Sequence, residues 1–314
     1  MAVWWLAVSP ETLEQALESC LRPPAGTAQM PRYDRGWLTE RGERRPFLSY
    51  LGEDEMAAVN WSESLEELHD RVSEHFMDVS TRRAMLARVG PLAPDAKLLD
   101  VGCSTGFLLA DLHRVAPAAT LIGLDPIASG LVKAHAALPE ARLLQADVCE
   151  LPLHDESVDA VVSANVLEHV ADDERALREI ARVLRRGGRA VIVIPLDPSS
   201  YNYFDRVLGH ERRYARGELA RKGRAAGLRV REDLYLGALL YPAYWLVKRV
   251  NERRHGKLAP QELERRVARE IEGTSSSAVG GLACRVEDRL LDRGVRLPFG
   301  IRGLTVFERA QPLE

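Results

Sequence analysis

Three aspartates, each at the end of a short apolar run, are the residues in this sequence whose types and spacing best suit ligand chemistry. Asp100 ends "KLLD", Asp125 ends "LIGLD" and Asp147 ends "LLQAD". A carboxylate at such a position can accept hydrogen bonds from ribose hydroxyls, and it can also bind an amine or an adenine amino group. Three neighbouring carboxylates would repel a pyrophosphate and favour a ligand that carries a positive centre, an amine and a ribose.

The small residues after Asp100 predict a tight turn that approaches a ligand. The spacing is D-x-G-x-S-x-G, with Gly102, Ser104 and Gly106. Glycine allows such a turn because it has no Cβ. A dinucleotide site usually reads GxGxxG after the strand and binds pyrophosphate at a helix N-terminus. The pattern therefore favours S-adenosylmethionine (SAM) over a nicotinamide dinucleotide.

Apolar runs that alternate with helical patterns predict the elements that position these acids. The runs are "KLLDVG", "TLIGLD", "ARLLQAD", "SVDAVVSANV" and "RAVIVIP", and helical spacing lies between them, as in "DDERALREIARVLRRGG". Continuous Val, Ile and Leu runs are typical of a parallel sheet buried on both faces. We expect a doubly wound α/β fold, in which ligands bind at the carboxyl ends of the strands where the strand order reverses.

Four regions are predicted along the chain of 314 residues. Residues 1–90 form a partly helical extension with helix over 62–90, and 91–236 form the α/β core. Residues 237–300 form a helical insertion, and 301–314 hold the last strand of the core. "EGTSSSAVGG" (272–281) predicts a mobile break within the insertion. We expect the extension and the insertion to act as lid or scaffold.

The core resembles the class I SAM-dependent methyltransferases over about residues 95–236, with the final strand near 302–309. The resemblance lies in "LLDVGCSTG", "LIGLDP", "QADVCELPLHDESVDAVVSANVLEHV" and "LREIARVLRRGGRAVIVIP", which recur in the family's order. It implies a mostly parallel, seven-stranded Rossmann-like sheet, with a helical N-terminal extension and a helical insertion before the last strand. Ser104 departs from the family, which usually has a glycine there.

The resemblance also implies a set of cofactor-binding residues. Asp100 and Ser104 would lie near the methionine end of SAM, Asp125 would bind the ribose, and Asp147 with Val148 would contact the adenine. The implied residues are Asp100, Gly102, Cys103, Ser104, Gly106, Asp125, Pro126, Asp147, Val148, Asn165 and Val166. A strand-end aspartate can instead form an Asx turn or cap a helix, and Cys103 and Cys149 can be small packing residues.

Two segments offer groups that could remove a proton from a methyl acceptor. "LEHV" places Glu168 and His169 after the fourth strand, and "SSYNYFDRVLGHERRYAR" follows the fifth strand. The candidate catalytic residues are His169, His210 and Tyr201, and the candidate acceptor-binding residues are Tyr203, Arg212, Arg213 and Tyr214. The alternatives are structural, because His169 could cap a helix, and His210 and Tyr214 could fix the loop to the sheet.

Composition restricts the class of acceptor. The net charge is −3, so no overall basic field attracts DNA. The four cysteines form no CxxC pair, which predicts no metal site and a cytoplasmic protein. Residues 201–257 carry fourteen Lys and Arg against six Asp and Glu. The segment 234–254 combines aromatic residues with part of this positive charge. It is typical either of a membrane-surface contact or of a core helix with a solvated basic end.

The function expected from the resemblance is methyl transfer from SAM, with S-adenosylhomocysteine (SAH) as product. The acceptor would be an O, N or C atom of a small molecule, a glycan or a lipid-linked compound. The alternatives are an RNA or protein methyltransferase and a nonenzymatic SAM-binding protein, with a nicotinamide-dependent oxidoreductase less favoured. No RNA-binding module is visible in the sequence, and the oligomeric state is not predicted.

Overall fold

The computed structural model describes most of the chain from Cys20 to Ala310. The described residues are 20–25, 27, 29–39, 42–52, 75–275 and 277–310. Most of the first half of the helix expected over 62–90 lies outside this part. Its second half is a helix that begins at Phe76, where His75 Nδ1 accepts a hydrogen bond from Met77 N (3.2 Å).

Eleven strands and nine α-helices are numbered here along the described residues. The strands are β1 (Arg32–Tyr33), β2 (Trp37–Leu38), β3 (Arg44–Arg45), β4 (Phe47–Ser49), β5 (Lys97–Val101), β6 (Thr120–Asp125), β7 (Arg142–Gln145), β8 (Val158–Ala164), β9 (Leu184–Pro195), β10 (Leu228–Leu236) and β11 (Arg302–Arg309). The helices are α1 (Phe76–Val89), α2 (Phe107–Val115), α3 (Ala128–Ala137), α4 (Asp173–Val183), α5 (Tyr203–Val207), α6 (Glu218–Ala225), α7 (Tyr241–His255), α8 (Pro260–Ser275) and α9 (Ala278–Asp292).

One sheet of eight strands organises the fold, in the order β10-β11-β9-β8-β5-β6-β7-β4. The strands from β9 to β4 are parallel to their neighbours, whereas β11 runs antiparallel to both β9 and β10. β5, β6 and β7 extend in one direction, and the chain then returns to place β8 on the other side of β5. This reversal confirms the doubly wound α/β fold and places its switch point between β5 and β8.

The eighth strand corrects the expected count of seven. β4 pairs in parallel with β7, with Phe47 opposite Leu143 and Ser49 opposite Gln145. Trp37, which is buried nearby, donates from Nε1 to Leu143 O (3.1 Å). The N-terminal region therefore covers an edge that would otherwise expose unpaired backbone groups.

The strands follow from their apolar runs, which are buried on both faces. Every residue of β5 and β6 is buried, and the two faces pack into separate apolar clusters. The structure corrects one boundary: α4 ends at Val183 and not at the glycines that follow. Leu184 is fully buried and pairs with Val158, so it already belongs to β9.

The break between helices that was expected over 272–281 is much shorter than predicted. α8 continues to Ser275, and α9 begins at Ala278, where the Ser277 hydroxyl accepts from Gly280 N (3.1 Å). Gly280 is buried, and a Cβ there would lie 2.4 Å from Phe76 Cζ. The absence of a side chain at Gly280 thus permits close packing of α9 on α1.

Candidate active site

The turn from β5 to α2 has left-handed backbone at three of its five residues. The φ angles are +74° at Gly102, +48° at Ser104 and +88° at Gly106. Gly102 also lies against the segment that follows β8, since a Cβ there would be 2.2 Å from Val166 Cγ2. Ser104 therefore adopts the left-handed conformation of the turn, at the position where the family usually has a glycine.

Four of the five N–H groups of this turn are bonded to acceptors within the protein. Gly102 and Cys103 donate to Leu124 O (2.7 and 3.0 Å), and Gly106 donates to Cys103 O (2.8 Å). Ser104 donates to Asp125 Oδ2 (2.9 Å). These donors are therefore already used, which disfavours the pyrophosphate binding expected of a dinucleotide loop.

Asp125 connects the ends of β5 and β6. Besides Ser104 N, its carboxylate accepts from Ile127 N through Oδ1 (2.9 Å). Each carboxylate oxygen has two lone pairs and so can accept more than one hydrogen bond. Pro126 follows directly, and its carbonyl accepts from Gln145 Nε2 (3.0 Å) at the end of β7.

Asp100 is buried beneath the turn. Its exposed fraction is 1%, and its Oδ2 has no hydrogen-bond partner among the described residues. Burial, with a smaller contribution from the charge of Asp125, raises the pKa of Asp100 to about 8. A buried carboxylate without a partner favours a cationic or hydrogen-donating ligand beside it.

The remaining predicted cofactor residues lie on the loops after β7 and β8. Asp147 is exposed, and its Oδ1 accepts from Cys149 N (2.8 Å), whereas Val148 is buried. Asn165 has a φ of +56°, and Val166 lies against Gly102.

Cys103, in the turn after β5, is 4% exposed and belongs to the apolar core, as expected of a packing residue.

Glu168, His169 and His210 form a cluster beyond Val166. One ligand atom from each of the three side chains lies within 4.8 Å of the others. The imidazole rings of His169 and His210 meet edge to face, with centroids 4.8 Å apart. Burial raises the pKa of Glu168 to about 7, although the charge of His210 acts in the opposite direction.

Asp205 orients His210. Its Oδ1 lies 2.8 Å from His210 Nδ1 and also accepts from Arg213 Nε (2.7 Å). Burial alone would raise the pKa of Asp205, but the hydrogen bond from His210 and the charge of Arg213 outweigh it and lower that pKa. An ionised carboxylate only accepts, so Nδ1 of His210 is the donor.

Three other residues predicted to bind the acceptor form hydrogen bonds to other groups of the protein. Tyr203 and Tyr214 are fully buried. Tyr203 donates to Glu270 Oε1 (2.5 Å), and Tyr214 donates to Asp173 Oδ2 (2.7 Å). Arg213 is 8% exposed and donates to Leu196 O (3.2 Å) as well as to Asp205. The polar atoms of these three side chains thus bond to other protein groups, which agrees with the loop-fixing alternative for Tyr214.

Arg212 and Tyr201 are the more exposed members of the loop. Arg212 donates to Ala171 O (2.9 Å) and lies 3.3 Å from Asp173. Tyr201 is 36% exposed, and its hydroxyl donates to His210 O (2.8 Å). Both side chains therefore stay near the cluster with part of their surface accessible.

Sequence reasoning missed Asp173 and Lys222, which hold this loop against the sheet. Lys222 Nζ donates to both oxygens of Asp173 (2.8 and 2.6 Å), the same carboxylate that Tyr214 and Arg212 contact. In the sequence, Asp173 is an acid in the first turn of a predicted helix. Such an acid is common at helix starts, so it did not indicate a contact with the loop.

Comparison with known proteins agrees with this geometry. Residues 99–192 match the methyltransferase domain family. The chain is 36% identical over 153 residues to a demethylmenaquinone methyltransferase of Thermus thermophilus, which covers 45% of this chain and 69% of the relative. A demethylmenaquinone methyltransferase of Thermotoga maritima is 31% identical over 141 residues, covering 45% of this chain and 61% of that relative.

A solved structure shows the same fold. It is a geranyl diphosphate C-methyltransferase from Streptomyces coelicolor A3(2), in complex with Mg²⁺, geranyl diphosphate and SAH. The TM-score is 0.52 at 17% identity, and the match covers 82% of this chain and 88% of that chain.

The residues present fit SAM as cofactor. The buried Asp100 oxygen without a partner suits a ligand with a cationic end, and the turn beside it has no N–H of Gly102, Cys103, Ser104 or Gly106 left for a pyrophosphate. Together with the family match and the Thermus relative, this places the chain among the class I SAM-dependent methyltransferases.

Proposed function

We propose that this enzyme methylates an oxygen or nitrogen atom of an amphiphilic small molecule, such as a prenylated or lipid-linked compound. One observation carries the choice of acceptor: α7, which exposes several apolar side chains, is bonded directly to the loop that follows β9. Tyr241 of α7 donates to Asp197 Oδ2 (2.8 Å), and Glu252 of α7 accepts from Tyr203 N (2.8 Å). An apolar surface beside the acceptor loop suits an acceptor with an apolar tail.

Three consecutive residues of α7 expose apolar side chains, and together they extend around more than one face of the helix. Trp245, Leu246 and Val247 are 38%, 57% and 53% exposed. Arg249 lies over the Trp245 ring, with its guanidinium carbon 5.3 Å from the ring centroid. The relatives that methylate demethylmenaquinone support an acceptor of this type. No helix in the described part of the chain is both long and apolar enough to span a membrane.

We propose that the cofactor-binding residues have the roles expected from the sequence. SAM supplies a methyl group that its sulfonium activates towards nucleophilic attack. Asp125 holds the ribose, Asp147 and Val148 contact the adenine, and Asp100 faces the methionine end. Asn165 and Val166 line the methionine side, and Gly102 lies against Val166. The enzyme contributes mainly alignment, because the reaction is an in-line displacement.

On the acceptor side, we assign the polar contacts to Glu168, His169 and His210. Arg212 and Tyr201, whose side chains are partly accessible, lie beside them and would bind a polar group of the acceptor. Arg213, Tyr203 and Tyr214 act as positioning residues, since their polar atoms bond to other protein groups.

Methyl transfer to extracted metabolites tests the acceptor class. The full chain is incubated with SAM carrying a labelled methyl group and with separate lipid and aqueous extracts. We expect label in a product of the lipid fraction, and none with the Asp125→Ala variant. Label only in aqueous small molecules, RNA or protein would contradict the amphiphilic acceptor. A thermal-shift panel with SAM, SAH and NAD on the same sample tests the cofactor independently.

A further inference from the structure

The Glu168 carboxylate is buried, and the charges of His210, Arg302 and Arg213 act on it without a hydrogen bond. Glu168 has no exposed surface, and neither Oε1 nor Oε2 has a hydrogen-bond partner among the described residues. Its backbone is well held, because Glu168 O accepts from Glu211 N (2.7 Å). A fully buried carboxylate without a partner is costly, so a cation or a donor beside it would stabilise it.

Two histidines converge on this carboxylate from different parts of the chain. His169 follows Glu168 in the 3₁₀ turn after β8, and His210 comes from the loop after α5. One nitrogen from each imidazole and one Glu168 oxygen lie within 4.8 Å of one another. Ligands of a tetrahedral ion, each about 2.0–2.1 Å from it, lie about 3.4 Å apart. A small side-chain adjustment would therefore close the three around one ion.

Protein oxygens already orient both rings. Asp205 Oδ1 lies 2.8 Å from His210 Nδ1, and Gly209 O lies 3.3 Å from His169 Nδ1. Metal-binding histidines commonly contact a carboxylate or a backbone carbonyl in this way, which fixes the ring and leaves the other nitrogen for the metal. Arg213, whose charge also acts on Glu168, is bonded to Asp205.

From this geometry we propose that Glu168, His169 and His210 bind one divalent transition-metal ion of the Zn²⁺, Co²⁺ or Fe²⁺ type. Two imidazoles and one carboxylate suit these ions and leave further coordination positions open, whereas Mg²⁺ and Ca²⁺ prefer oxygen ligands. The site lies next to Asn165 and Val166, so an open position would face the acceptor. There the ion would bind the acceptor oxygen and favour release of its proton to water.

The binding of the ion is independent of the acceptor, whereas its use in methyl transfer rests on the proposed function. The test therefore needs neither SAM nor acceptor. Full-length protein is treated with chelator, dialysed and titrated with Co²⁺ alone, followed by visible absorption and calorimetry. We expect one Co²⁺ per chain, displaced by Zn²⁺ and not by Mg²⁺.

Four variants locate the site. Glu168→Gln and His210→Asn should each weaken Co²⁺ binding at least tenfold. Asp205→Asn, which alters the orientation of His210 together with the contact to Arg213, should weaken it by about 10- to 100-fold. His154→Asn is the matched control, because its side chain is exposed and lies on another loop. Thermal melting of each metal-free variant checks folding, and Glu168→Gln should melt no lower than wild type, since it removes a buried charge.

Three results would overturn the proposal. Folded wild-type protein could fail to bind Co²⁺ and Zn²⁺, Mg²⁺ could displace Co²⁺ equally well, or binding could persist in both Glu168→Gln and His210→Asn. Should Glu168→Gln fail to fold, His210→Asn decides the question alone. SAH titration of the same metal-free samples separates the two proposals, since SAH binding without metal binding overturns only the metal site.

Discussion

At the scale of single residues, Asp125 is the side chain whose removal should affect cofactor binding most. Asp125→Ala removes the proposed ribose acceptor and also two backbone contacts, to Ser104 N and Ile127 N. Hydrogen bonds to a charged group contribute about 1.5–3 kcal/mol, so SAM affinity should fall about 10- to 150-fold. Calorimetry measures this change. Asp95→Ala, at an exposed position, is the control, and unchanged SAM affinity in Asp125→Ala would refute the ribose assignment.

We expect Asp100 to make cofactor binding depend on pH. With its pKa raised to about 8 by burial and by Asp125, Asp100 is mostly protonated at pH 7 in the ligand-free protein. A cationic ligand end beside it favours the ionised form. SAM binding at pH 7 should therefore release protons, and SAM affinity should rise between about pH 6 and pH 8.

Calorimetry of SAM binding in phosphate and in Tris measures this proton release, because the two buffers differ in ionisation enthalpy. Asp100→Asn should abolish the buffer dependence. Equal binding enthalpies for the wild type in both buffers would show that Asp100 does not change its ionisation.

The same shift affects stability with a defined sign. The folded-state pKa of Asp100 lies above its unfolded value, so the folded ligand-free protein binds more protons than the unfolded chain between about pH 4 and pH 8. This group's contribution to stability is present at low pH and is lost as the pH rises. Denaturant unfolding should show Asp100→Asn gaining stability over wild type as pH rises from 5 to 9. A constant difference between the two proteins across that range would contradict the prediction.

At the scale of elements, the loop after β9 is held by Asp173 of α4, and Tyr214 is the contact that tests this. Its hydroxyl donates to Asp173 Oδ2 and to Leu167 O (2.7 and 3.0 Å). Tyr214→Phe should lower the free energy of unfolding by about 1–3 kcal/mol. It should also reduce kcat/KM while SAM affinity stays the same, because the loop positions the acceptor side.

Tyr33→Phe provides the comparison. Its hydroxyl also makes two hydrogen bonds, to Pro139 O and Ala141 O (2.7 Å each), but it lies at the β7 edge. This variant should lose stability and keep normal kcat/KM per folded enzyme. An equal loss of kcat/KM in both variants would show that the Tyr214 effect is general destabilisation.

The core strands could be predicted from the sequence, because their continuous apolar runs are buried on both faces. β4 could not, since a strand of three residues has no period to recognise and its partner Leu143 lies far along the chain. The strand-end acids were recognisable by position. The cluster of Glu168 and His210 was not, because it forms only when the loop after β9 folds back towards β8.

For the whole molecule, the exposed apolar residues of α7 and the basic residues near them predict reversible binding to anionic membranes. Full-length protein should sediment with vesicles containing phosphatidylglycerol more than with neutral vesicles, and added salt should weaken this binding. The double variant Leu246→Glu, Val247→Glu should reduce binding by about tenfold or more. Val132→Glu, at an exposed valine of α3, should bind as wild type. Equal binding by both variants would exclude α7 as the contact.

A crystal structure of the protein with SAH would show whether the carboxyl ends of β5 to β8 hold the cofactor. We expect the ribose hydroxyls on Asp125, the adenine beside Asp147 and Val148, and the homocysteine end above Gly102 and Asp100. SAH located away from these strand ends, or a pyrophosphate-containing dinucleotide bound at the turn from Gly102 to Gly106 in its place, would contradict this expectation.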